Sequence, residues 1–183
     1  MTAPTLAEFD HAAFVNSLNW NTNVLRGHVA QHHVSRALGE ALDHSAVWDD
    51  SDITTTRGIT IEVKSAGLRQ TWTTPHGDPA ITPRSRVRFT GLRRRRSAPG
   101  GATYTGEPVF RSQVYVFGLH TDISDAFDCR DATTWEWWVM PRAALAARGY
   151  DSISLPVVER IATRATWDEM PAVVTTCAER AEQ

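Results

Sequence analysis

Lysine is almost missing from this chain. Of nineteen basic side chains eighteen are arginine, and the single lysine is Lys64, within Ile61-Glu62-Val63-Lys64. An ammonium is compact, rotatable and easily shifted in pKa, whereas a guanidinium is a planar fork that stays protonated. The exception therefore marks Lys64 as a place where the compact group is needed. Cysteine is scarce too. Cys129 and Cys177 make no disulfide framework and match no metal-ligand spacing, which predicts two reduced thiols in a cytoplasmic protein. No apolar run approaches the roughly 20 residues that cross a bilayer. The N-terminus MTAPTLAEFDHAAF lacks the basic and apolar segments of a secretory signal. These gaps predict neither a disulfide-stapled scaffold nor a membrane-spanning helix.

What is present suits one globular domain. A length of 183 residues with 42% hydrophobic content matches one unit on a prior of about 100–200 residues. Residues 1–22 read as an arm or short helix, 23–140 as the core, and 141–183 as a C-terminal extension of helix and strand. Asn23 to Leu42 reads as a helix that Asn23 can cap, with Val34, Leu38, Ala41 and Leu42 at helical spacing. SAVWDDSDIT, GITIEVKSA, SQVYVFGLH and TTWEWWVMP read as strands, and SRVRFTGL alternates weakly. RRRRSAPGGATYTGEP reads as loop. PRAALAARGY predicts a short helix, ISL a further strand, and Thr166 onward a terminal helix restarted at Pro171. Trp135 and Trp137 alternate with Glu136 and Trp138, the pattern of a strand packed on both faces. This order predicts an α/β protein, a mixed β-sheet flanked by helices.

Charge is unevenly spread. The net charge is −2, yet Arg84, Arg86, Arg88, Arg93, Arg94, Arg95, Arg96 and Arg111 fall in a segment whose only acid is Glu107. One basic lobe on a near-neutral chain fits a polyanionic partner such as DNA; a solvated loop has the same composition.

The acids that matter lie in a hairpin. With Thr56-Arg57-Gly58 as a three-residue loop and Gly58 in the left-handed position, Asp52 stands opposite Glu62 and Asp50 opposite Lys64. Alternation then puts Asp50, Asp52, Thr54, Thr60, Glu62 and Lys64 on one face and Ile53, Ile59, Ile61 and Val63 on the other. Opposed carboxylates repel across a sheet unless a divalent cation sits between them. Mg²⁺ takes one or two carboxylates together with waters and phosphate oxygens, and the Val63 carbonyl could add a ligand. Lys64, on the same face, could orient a water or stabilise charge on an attacked phosphate. Carboxylates, metal and ammonium are the parts for phosphodiester hydrolysis. A solvent-facing polar sheet surface has the same period, so that reading stays open here. His28 and His32 also have a metal-binding spacing, but no third ligand is evident.

Asp52, a hairpin and Glu62-Val63-Lys64 together resemble the PD-(D/E)xK nuclease superfamily, which includes many restriction endonucleases. IEVKSAGLRQTW is similar to the phrase IEVKSAAYLQSW in bacterial members. The resemblance covers roughly residues 23–140. It implies a restriction-endonuclease-like core and a DNA endonuclease using Mg²⁺, with Mn²⁺ able to substitute. Asp52, Glu62 and the Val63 carbonyl would hold the metal, Lys64 would activate or position water, and Gln70 would support the site. The arginines from Arg84 to Arg96 would hold DNA phosphates. Relatives often carry a glutamate on the first helix in a phrase like RGxxAE; here RGHVAQ puts Gln31 there, a poor Mg²⁺ ligand. That departure implies one metal rather than two, with Gln31 and Asp50 in accessory roles. A non-catalytic DNA-binding module and a protein-interaction domain are the alternatives, and pairing as a homodimer stays open.

Overall fold

The computed structural model describes residues 10–42, 51–97, 104–149 and 151–181. Helix α1 is His11–Ser17 and α2 is Asn23–Leu38. Strands β1 (Ile53–Thr54) and β2 (Thr60–Gly67) form the hairpin, followed by β3 (Arg69–Thr73) and β4 (Pro79–Ile81). A 3₁₀ turn at Arg84–Arg86 precedes β5 (Arg88–Phe89). Then come β6 (Arg94–Ser97), β7 (Tyr104–Val109), β8 (Val114–His120) and β9 (Trp135–Pro141). The chain ends through α3 (Arg142–Ala146), β10 (Ile153–Ser154), α4 (Leu155–Ile161), β11 (Thr163–Ala165) and α5 (Met170–Glu179).

A mixed five-stranded sheet in the order β1-β2-β8-β9-β11 organises the fold. Its β2–β8 pair is parallel and the other pairs are antiparallel. Strand β8 is buried at every position from Val114 to His120, the signature of a central strand covered on both faces. On one face Ile61, Val63, Val114, Val116 and Val139 meet Val29, Ala30 and Val34 of α2 and Met170, Val174 and Cys177 of α5. On the other face Tyr115, Phe117, Trp138 and Met140 meet Val87, Phe89, Leu92, Leu145, Leu155 and Val158. The alternation seen in TTWEWWVMP has this cause: Trp135 and Trp137 enter the first cluster and Trp138 the second. The expected α/β architecture, a mixed sheet flanked by helices, is present. Both thiols are free and buried, and among the described residues no helix is long and apolar enough to cross a membrane.

Several local expectations are corrected. Thr22, not Asn23, caps α2, its hydroxyl accepting from the Leu25 N–H at 3.3 Å. RRRRSAPGGATYTGEP reads as loop, but β6 and β7 pair there as an antiparallel hairpin; composition hid it because glycine and proline are weak strand formers. Helix α4 and strand β11 are not among the expected elements; Pro156 sits in the first turn of α4, where its missing N–H is harmless. β11 completes the sheet against β9, and Asp50 lies outside the described residues.

Candidate functional site

Gly58 takes φ +79° in the hairpin turn, a conformation glycine adopts without strain, and its N–H donates to the Thr55 carbonyl at 2.8 Å. Glu40, just past α2, accepts from both the Thr56 N–H and hydroxyl at 3.0 Å and ties the turn to the helix. The strands then pair with Ile53 against Ile61 and Thr54 against Thr60, the register the alternation predicts, which brings Asp52 beside Glu62. Ile53, Ile61 and Val63 are buried in the core, as their face requires.

The polar face is not a solvated one. Glu62 is 2% exposed and flanked across β8 by Tyr115, whose hydroxyl donates to the Leu92 carbonyl at 3.1 Å. Burial, with Glu62 nearby, pushes the Tyr115 phenol up to about 12. Asp52 is held at both oxygens: Oδ2 accepts from the Val63 N–H at 2.7 Å and Oδ1 from Arg94 Nη2 at 3.1 Å. Because the Val63 amide points to the β1 side, its carbonyl points there too, toward Asp52. Lys64 Nζ lies 2.6 Å from Glu62 Oε1, and the same oxygen accepts from Arg94 Nη2. Burial foremost, then the charge of Asp52, holds the Glu62 carboxyl above the ordinary glutamate range, while Lys64 and Arg94 oppose that shift. Two acids and two cations thus form a compact, charge-balanced cluster, with the Arg94 guanidinium bridging the carboxylates.

The arginine segment is divided by the fold. Arg84 pairs with Glu136 at 2.7 Å and Glu159 at 2.6 Å, and Arg93 with Asp151. Arg88 donates to Ser152 Oγ at 2.8 Å. Arg86 and Arg95 are exposed, and among the described residues neither has an acid partner. Arg96 belongs to β6.

Gln70 sits in β3, and its Nε2 donates to the Gly67 carbonyl at 2.8 Å and to Thr82 Oγ1 at 3.1 Å rather than to either carboxylate. Gln31 is half-buried on α2 and makes no hydrogen bond to Asp52 or Glu62. Among the described residues no three His, Cys, Asp or Glu side chains converge as a metal cluster, so the donors available to a cation are two carboxylates and a carbonyl.

Sequence reasoning missed Arg94 as the partner of both acids, since nothing distinguishes it from its three arginine neighbours. It missed Glu40 as the hairpin clamp because the contact spans sixteen positions. No protein-family model and no curated protein sequence matches the chain.

Proposed function

We propose that this chain is a metal-dependent DNA endonuclease of restriction-endonuclease-like fold, hydrolysing phosphodiester bonds. The observation that carries the reading is the apposition of half-buried Asp52 and buried Glu62, with Lys64 Nζ 2.6 Å from Glu62. The donor set fits Mg²⁺ or Mn²⁺: Asp52, Glu62 and the Val63 carbonyl offer only hard oxygens, and such cations prefer few protein ligands with the rest water or phosphate. Arg94 supports the fit, because a guanidinium already lies between the two carboxylates, where positive charge is most stabilised. When bound, the metal would supply Lewis acidity and a water of lowered pKa. Lys64, held by Glu62, would direct its remaining N–H donors at the attacking water or a non-bridging phosphate oxygen. Arg86, Arg88 and Arg95 would contact phosphates, which adds affinity without sequence readout. A homodimer would let two such sites cut two strands.

The test is incubation of plasmid, linear and single-stranded DNA with purified protein in Mg²⁺, Mn²⁺ or EDTA. Cleavage is expected only with metal, and Asp52→Asn or Glu62→Gln should abolish it while DNA binding persists. Undiminished cleavage by the Asp52 variant would remove this site from the reaction. A second reading, a nuclease-fold module that binds DNA without cutting it, is favoured by one observation: Lys64 and Arg94 already neutralise both carboxylates. Metal-indifferent DNA binding with no cleavage would select it.

A further inference from the structure

Among the described residues β1 pairs only with Thr60 and Ile61 of β2, and the C-terminal half of β2 carries a different feature. A cavity of about 430 Å³ is lined among others by Asn23, Arg26, Ser65, Gln70, Arg86 and Arg88. Arg26 is 5% exposed. Its Nη2 donates to Asn23 Oδ1 at 2.6 Å, while its Nε–H is buried without a hydrogen-bond partner. Among the described residues no acid pairs with it, and burial holds its pKa below the ordinary arginine value. An isolated charge taken out of water is strongly unfavourable unless it is paired, and here the unpaired charge is joined by two further arginines.

The chain makes room for this guanidinium. A Cβ on Gly67 would lie 2.8 Å from Arg26 Nη1, so the bare glycine lets Arg26 lie across the end of β2. Gln70 ties the Gly67 carbonyl to Thr82 and so acts as a positioning residue beneath the arginine. Thr90, another lining residue, precedes Gly91, where an added Cβ would lie 3.8 Å from Lys64 Nζ.

We propose that this cavity is a phosphate-binding pocket, with Arg26 as its buried anchor and Arg86 and Arg88 at its mouth. Guanidinium forks match the geometry of phosphate oxygens, and the Ser65, Thr82 and Thr90 hydroxyls add neutral donors. That the phosphate belongs to a DNA strand rests on the nuclease reading; the anion site itself does not. The phosphate is either an internal one beside the bond to be cut or a terminal phosphate monoester, both presenting the same oxygens.

The first experiment is the melting temperature of the full chain in inorganic phosphate against chloride at equal ionic strength, without metal. Phosphate should raise the melting temperature of the parent, as any ligand of the native state does. Arg26→Met should lose that rise yet be as stable as the parent or more so in chloride, because it removes an uncompensated buried charge. Arg86→Ala, at an exposed position, should weaken the rise and guards against a folding defect in the first variant. No rise in the parent, or an equal rise in both variants, overturns the pocket. A second experiment measures binding of circular, 5′-hydroxyl and 5′-phosphorylated duplexes in EDTA. A preference of tenfold or more for the 5′-phosphate that Arg26→Met abolishes assigns a terminal phosphate. Equal affinities, with the salt slope reduced by about 0.9 in Arg26→Met, assign an internal one. Affinities and slopes unaffected by Arg26→Met overturn the proposal. A phosphate response without any DNA cleavage would sink the nuclease reading and leave the pocket standing.

Discussion

The two ends of β2 carry opposite electrostatics within a few residues of each other. At Glu62 the acids are met by cations: Asp52 and Glu62 face Lys64 and Arg94. At Gly67 the cations meet no acid among the described residues, and Arg26 is buried with an unpartnered Nε–H. The difference follows from which elements cover each end. β6 delivers Arg94 to the carboxylates, whereas the first turns of α2 deliver Arg26 to a strand end that bears no acid, with Ser65 and Gly67 on β2 and Gln70 on β3. A balanced cluster needs no ligand and admits another cation only by exchange. An unbalanced one is stabilised by whatever anion arrives.

The largest expected effect probes the balanced end. If Lys64 positions the attacking water, Lys64→Arg keeps the charge but widens the group, and a misplacement near 1 Å costs about 100-fold in rate. Single-turnover cleavage of a bound duplex should fall by at least that factor, with melting temperature and DNA affinity close to parental. Near-parental cleavage would show that any cation suffices there.

Arg94→Ala should sharpen the contrast by unbalancing the same end. Without the guanidinium the two carboxylates keep only Lys64, so the metal-free protein should melt lower and recover with Mg²⁺. A competitor present nine-tenths of the time weakens apparent affinity roughly tenfold, and the Mg²⁺ concentration for half-maximal stabilisation should drop by about that factor. An unchanged Mg²⁺ requirement would mean that Arg94 and the metal do not compete.

A smaller effect separates paired from unpaired arginines. Arg86→Ala and Arg88→Ala should each lower the slope of log affinity against log salt by about 0.9. Arg84→Ala and Arg93→Ala should change it less, since Glu136, Glu159 and Asp151 already occupy those side chains. Equal losses at all four positions would show that DNA breaks the internal pairs.

The smallest effect lies on the sheet face away from the carboxylates. Burial holds both His33 and His120 below the ordinary histidine pKa. His33 Nε2 lies 3.1 Å from the Cys129 carbonyl, and the ring packs edge-on to Trp135, Trp137 and Trp167. The unfolded chain takes up these protons near the unperturbed value of about 6.5 and the folded chain only lower. Between the two the unfolded state binds more protons, so stability rises with pH. The contribution is complete above the unfolded value and disappears as pH falls through the folded ones. Their contribution to melting temperature should therefore fall between about pH 7 and pH 5, opposed there by the raised Glu62 carboxyl, and His33→Gln should make the melting temperature fall less toward pH 5; an identical profile in the variant would clear His33 of any part in it.

Much of the carboxylate end was legible from the chain alone. Side chains in a strand alternate with a period of two and Gly58 suits the left-handed turn position, so Asp52, Glu62 and Lys64 were bound to share a face once the register was set. A β-branched and aromatic run made SQVYVFGLH a strand, and alternation made TTWEWWVMP one packed on both faces. What it could not say is whether that polar face met water, because burial depends on β5, α3 and α4 arriving from elsewhere in the chain.

The sequence by itself determined the hairpin, its register and which residues face together, because these follow from backbone geometry and neighbours a few positions away. Only the tertiary structure decided that Arg94, among four consecutive arginines, bridges the carboxylates, and that Arg93 and Arg84 are spent on Asp151, Glu136 and Glu159. It alone left Arg26 buried over Gly67 without an acid. The physical reason is that charge acts through distance and burial in space, and partners 32, 42 and 58 positions apart leave no periodic trace in the order of residues.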